Sequence, residues 1–85
     1  MIRQKYCIAN WKMNFNMAMS IEYIENWKLK KLANTVVKTV FCPSFTTLYS
    51  LRELLKNHDS YMGAQNIYFE NNGAFTGEIS GDMLN

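Results

Sequence analysis

Apolar and polar positions fall along this chain in blocks with two different rhythms. Tyr6, Cys7, Ile8 and Ala9 form a short apolar run that Asn10 stops, which predicts a buried strand over residues 5–10. Met17, Ile21, Ile24 and Leu32 then recur at helical spacing, with Tyr23 and Trp27 on the flank and Glu22, Glu25, Lys28 and Lys31 outside. That spacing predicts a helix over 17–32, capped by Asn14 or Asn16. Val36–Cys42 is apolar and β-branched, a second strand closed by Pro43, which has no N–H to give a ladder. Leu48, Leu51 and Leu55 mark a helix over 46–56, and Tyr61–Asn66 reads as a third strand weakened by Gly63. Ser80, followed by Asp82, Met83 and Leu84, announces a third helix about one turn before Asn85.

Strand, helix, strand, helix, strand is the order of parallel βαβ units. Right-handed crossovers place both helices on one face of the sheet. An open doubly wound sheet and a (β/α)-barrel both satisfy this pattern, and periodicity does not separate them. The chain contains neither G-x-G-x-x-G nor G-x-x-x-x-G-K-[ST], which weakens a nucleotide-binding version. Three strands with two helices leave a sheet face uncovered, so the expected architecture is a single partial domain over residues 1–85. Without a closing partner, the apolar faces of residues 5–9, 36–42 and 61–64 are expected to leave the chain molten or aggregation-prone.

Composition narrows the classes further. The 85 residues are 48% hydrophobic and 19% charged, which is globular and not disordered. Nine bases against seven acids give a net charge of +2, too balanced to argue for nucleic acid or an anionic membrane. Lys28, Lys30 and Lys31 beside Trp27 read as the solvated side of an amphipathic helix. Arg3 and Lys5 precede too few apolar residues for a secretory signal, and no run reaches a membrane span, so the cytoplasm is the expected compartment. Cys7 and Cys42 lie in predicted strands outside any C-x-x-C, the pattern of buried, reduced thiols.

Chemistry is concentrated at strand ends. Asn10, Lys12, Gln65 and Asn66 all stand at or just after the carboxyl ends of predicted strands, where ligands bind in both candidate folds. Lys12 is the odd member, a charge two residues past a buried strand. His58, the one histidine, sits in the polar "KNHDS" connection at the opposite end and reads as a surface residue.

Three segments carry a family resemblance. "NWKMN" at 10–14, "FCPSFTTL" at 41–48 and "GAQNIYFENNGAFTGEISGDML" at 63–84 resemble, in order and spacing, the first three strand ends of the triosephosphate isomerase family. Ala9 and Phe15 stand where that family commonly has glycines, and Ser44 where a second proline is common. The resemblance implies the N-terminal portion of a (β/α)8 barrel of about 250 residues. It implies interconversion of dihydroxyacetone phosphate and glyceraldehyde 3-phosphate through an enediolate, with no cofactor and no metal.

The resemblance also assigns roles. Lys12 and Asn10 correspond to the family's first catalytic and substrate-binding residues. Met13, Phe75, Thr76, Gly77 and Glu78 correspond to its homodimer interface, with Trp11 packing or meeting the neighbouring subunit. Gly73 and Gly77 are expected to bend the 71–80 loop so that Phe75 and Thr76 project outward. The family's base lies much later in sequence, which leaves Glu78 as a structural ion-pair partner. Its histidine electrophile, lid loop and phosphate-binding glycines also belong to later strands, so this chain is read as a fragment that is inactive alone. The alternative is a non-catalytic α/β interaction fragment or one part of a split barrel.

Overall fold

The computed structural model describes residues 3–30 and 36–85. Its elements are β1 (Lys5–Asn10), α1 (Met17–Lys30), β2 (Val37–Cys42), α2 (Phe45–Leu54), β3 (Ser60–Met62) and α3 (Gly81–Leu84). The three strands form one parallel sheet in the order β1-β2-β3. This is the α/β arrangement of the N-terminal part of a barrel, with the sheet left open.

The register decides what each face carries. Ile8 pairs with Val40 and Val40 with Tyr61, while Ala9 pairs with Phe41 and Phe41 with Met62. Since side chains alternate along a strand, Tyr6, Ile8, Val40 and Tyr61 share one face, and Ala9, Phe41 and Met62 the other. The second face holds the core: Trp11, Ile24, Phe41, Leu51 and Leu55, with Ala9, Trp27, Leu54 and Met62 packed against them. Both helices therefore cover the same side of the sheet. The first face is open, with Ile8 62% and Tyr6 57% exposed.

Local chemistry sets the element ends. Asn16 caps α1 through Oδ1, which accepts from the Met19 N–H at 2.9 Å. Pro43 closes β2, and Ser44 takes extended backbone at the start of α2 without a side-chain cap bond. The turn after α2 uses Asn57 at φ 68, a left-handed residue of the kind asparagine tolerates best. Ser80 caps α3 as its position suggests, its Oγ accepting from Met83 N–H at 3.2 Å.

Several expectations shift. The inward side of α1 is Ser20, Ile24 and Trp27, whereas Met17 and Ile21 lie on the exposed side. Ser20 is fully buried and donates to Asn16 O at 2.7 Å, so a small polar residue occupies the close approach that an apolar period assigns to a neighbour. Lys31 and Leu32 lie outside the described residues. The third strand is shorter than 61–66: its ladder ends with Gly63 N–H on Phe41 O at 2.8 Å. Cys42 is buried but Cys7 is exposed, because β1 is an edge strand of the open sheet; both are free thiols. His58 is half-buried, with Nδ1 3.2 Å from Ser60 Oγ, and that Oγ accepts from Trp27 Nε1 at 2.8 Å. Among the described residues no helix is long and apolar enough to cross a membrane.

The two sheet faces make opposite predictions for a single charge. Ile8→Lys on the open face should reduce binding of a hydrophobic dye and leave the far-ultraviolet circular dichroism unchanged. Ile24→Lys buries an unpaired ammonium, a cost of several kcal/mol or about that scale, and should abolish the helical signal. Equal effects from the two substitutions would contradict the assignment of faces.

Candidate functional site

The candidate site begins where β1 ends, and it is built from the backbone outward. Trp11 is buried and donates its backbone N–H to Cys42 O at 3.0 Å. Its indole makes edge contacts with Phe15, Tyr23 and Phe41 at ring separations of 5.1, 5.2 and 5.8 Å. Such T-shaped pairs each add about 0.5–1.5 kcal/mol beyond their buried area. The indole thus fixes the chain one residue past the strand.

Lys12 follows at φ 55, a left-handed conformation that costs a lysine about 1–2 kcal/mol. Three contacts hold the turn. Asn10 Oδ1 accepts from Lys12 N–H at 2.9 Å, Gln65 Nε2 donates to Lys12 O at 2.8 Å, and Asn14 Nδ2 donates to Trp11 O at 2.7 Å. A second left-handed residue, Phe15 at φ 72, comes three positions later. Its ring lies on Trp11 and stacks with Tyr23 at 5.9 Å, so aromatic contact offsets backbone strain where glycine would carry none. The Lys12 side chain itself is exposed, and no carboxylate among the described residues pairs with it. The result is an unneutralised cation on a tightly held backbone at the carboxyl end of the sheet.

Of the four strand-end residues singled out by sequence, the fold brings Asn10, Lys12 and Gln65 into one hydrogen-bonded group. Asn66 turns away, its Nδ2 3.4 Å from Glu78 Oε2. Among the described residues Glu78 thus meets an amide, with no cation of this segment within ion-pair distance. Met13 is 96% exposed beside the site.

The 71–80 loop returns to the body through Tyr68, whose N–H donates to Ile79 O at 2.7 Å beside a Tyr68–Ser80 bridge. Phe75 is 41% exposed, yet it does not stand free of the loop. Its ring folds back onto Tyr68, 4.5 Å between centroids, and crosses Gly73 so closely that a Cβ there would sit 2.6 Å from the ring. Sequence reasoning missed Tyr68 as the platform, although its aromatic neighbours in "NIYFE" were a usable signal. Thr76 and Gly77, the latter at φ 86, remain exposed at the tip. No group of histidine, cysteine or carboxylate side chains among the described residues could hold a metal ion.

Comparison with known proteins identifies the family. The family model for triosephosphate isomerase matches residues 5–85. Triosephosphate isomerase of Dictyoglomus turgidum is 40% identical over 83 residues, covering 98% of this chain and 33% of the relative. Those of Dehalococcoides mccartyi and Natranaerobius thermophilus are 34% and 42% identical over 83 and 78 residues, covering 98% and 89% of this chain and 33% and 29% of theirs. The chain spans about a third of the length of these relatives and matches their N-terminal portion. On the family match and the fold together, the chain belongs to the triosephosphate isomerase family.

Proposed function

We propose that residues 1–85 supply the first part of a barrel that interconverts dihydroxyacetone phosphate and glyceraldehyde 3-phosphate. The observation that carries this reading is the contrast at Lys12: a backbone tied down on both sides and an ammonium that no carboxylate among the described residues pairs with. Removing a proton beside a carbonyl builds negative charge on the carbonyl oxygen as the enediolate forms. A fixed cation aimed at that oxygen stabilises the transition state more than the ground state, because it need not reorganise as charge develops. The substrate's phosphate is a second anion for the same ammonium. Asn10, whose Oδ1 is occupied by Lys12 N–H, keeps its amide N–H₂ as a donor to substrate oxygen.

The proton itself needs a base and a polarising acid, which the family resemblance assigns to later strands. No cofactor or metal enters the proposed chemistry. The working form is a homodimer in the cytoplasm, without nucleic-acid or membrane partners. In it Met13 and the 75–78 segment meet the neighbouring subunit, and Thr76 of one copy braces Asn10 of the other. Two-fold symmetry makes such a contact reciprocal. The exposed Met13 and the exposed tip at Thr76 support this surface.

Three outcomes are expected. The 85-residue chain alone should show no isomerase turnover above its own Lys12→Ala control, since general-base catalysis alone is worth about 10²–10⁴. In a full-length barrel, made by joining this chain to the part of the Dictyoglomus turgidum relative that follows the matched segment, Lys12→Ala should lower kcat/KM by about 10²–10³. Lys12→Arg should not restore it, because a planar fork does not fill an ammonium's compact site. Steady-state assays in both directions check these, and a fully active alanine variant would remove Lys12 from the chemistry. Finally, Thr76→Arg in the same barrel should leave the Phe75–Tyr68 cluster intact yet produce monomers of much reduced kcat. Sedimentation at nanomolar concentration reads the first effect, and a normal dimer would refute the interface.

A further inference from the structure

Gln65 belongs to the hydrogen-bonded group around Lys12, yet the proposed chemistry leaves it without a task. It is half-buried, and its carboxamide nitrogen donates to two carbonyls from different segments, Lys12 O at 2.8 Å and Cys42 O at 2.9 Å. Both acceptors are backbone oxygens with no proton to give, so the side chain must offer two donors, which a carboxamide N–H₂ does without adding charge. Cys42 O also accepts from Trp11 N–H at 3.0 Å, which makes the end of β2 a shared anchor for the chain after β1 and the chain after β3.

The placement of Lys12 makes this contact more than general support. Upstream, Trp11 is locked by burial and by its bond to Cys42 O. At Lys12 itself the backbone stands at φ 55, from which a lysine gains by rotating to negative φ. Asn10 restrains only the N–H side of that residue, and Gln65 restrains the carbonyl side. Losing the carbonyl restraint frees the peptide plane after Lys12, and the side chain swings with it.

Resting on the reading of Lys12 as the catalytic cation, we infer that Gln65 is a positioning residue whose paired N–H donors hold Lys12 in its left-handed conformation and thereby aim the ammonium. Gln65 touches no substrate. It acts only through Lys12, and that dependence is what distinguishes it from a residue that merely stabilises the fold.

The test is a double-mutant cycle in the full-length barrel described above. Gln65→Met keeps length and volume but has no donor, and should lower kcat/KM about tenfold to a hundredfold, the scale of an angstrom-sized misplacement of a reacting group. Gln65→Glu should be at least as damaging, since its carboxylate would face two carbonyl oxygens. In a Lys12→Ala background Gln65→Met should change kcat/KM by less than twofold. Where the methionine variant is insoluble, Gln65→Asn shortens the arm and carries the same expected non-additivity. A crystal structure of the variant should show Lys12 at negative φ. Equal losses from Gln65→Met with and without Lys12, or full activity of Gln65→Glu, would overturn the inference while leaving Lys12 catalytic. Full activity of Lys12→Ala would instead overturn the reading of the site on which it rests.

Discussion

The burial of one indole ring organises this end of the molecule. Trp11 leaves β1 on the helix-covered side, and its ring meets residues from the following turn, from α1 and from β2. Its N–H takes the last carbonyl of β2. With that residue fixed, the chain has no gradual way out of the strand. The next residue must reverse direction within one peptide, and a left-handed lysine is the consequence. Strain of this kind persists only where surrounding contacts over-determine it, and here the amides of Asn10, Asn14 and Gln65 do so. Core packing on one face of the sheet and charge placement at its end are thus a single construction.

The same asymmetry runs through the rest of the fold. Every core residue lies between the helices and the sheet, and the opposite face carries Tyr6, Ile8, Val40 and Tyr61 without cover. Lys38 reaches across that face to the Tyr61 ring, 5.6 Å from its centroid. A barrel resolves the imbalance because closing a sheet on itself turns one face inward, where side chains from other strands fill it.

Strand order and helix existence were legible because period-2 and period-3.6 patterns differ plainly over six to fourteen residues. The rotation of α1 was not. Residues 17, 21 and 24 and residues 20, 24 and 27 both have helical spacing, and the true inward stripe begins with Ser20, which no hydrophobic count selects. Asn10 and Lys12 stood out as polar residues after an apolar run, and their spacing alone supplied the suspicion that a ligand is near. What spacing does not contain is the reach of Gln65 across 53 positions, or the backbone conformation it holds. The contact of Phe75 with Tyr68 is hidden for a related reason: two glycines permit a sharp bend without stating which ring the exposed Phe75 leans on.

Phe15 extends that lesson to how this loop can change. With glycine at such a position, the turn is free of side-chain obligations and tolerates variation in the helix beside it. Phenylalanine at φ 72 reverses the dependence, because the turn is now compensated by Trp11 and Tyr23 and is only as sound as those rings. Positions 15 and 23 thereby act as one packing unit. A change at Tyr23 that would be silent beside a glycine reaches the backbone three residues beyond Lys12, so the two positions are coupled in energy although eight residues separate them.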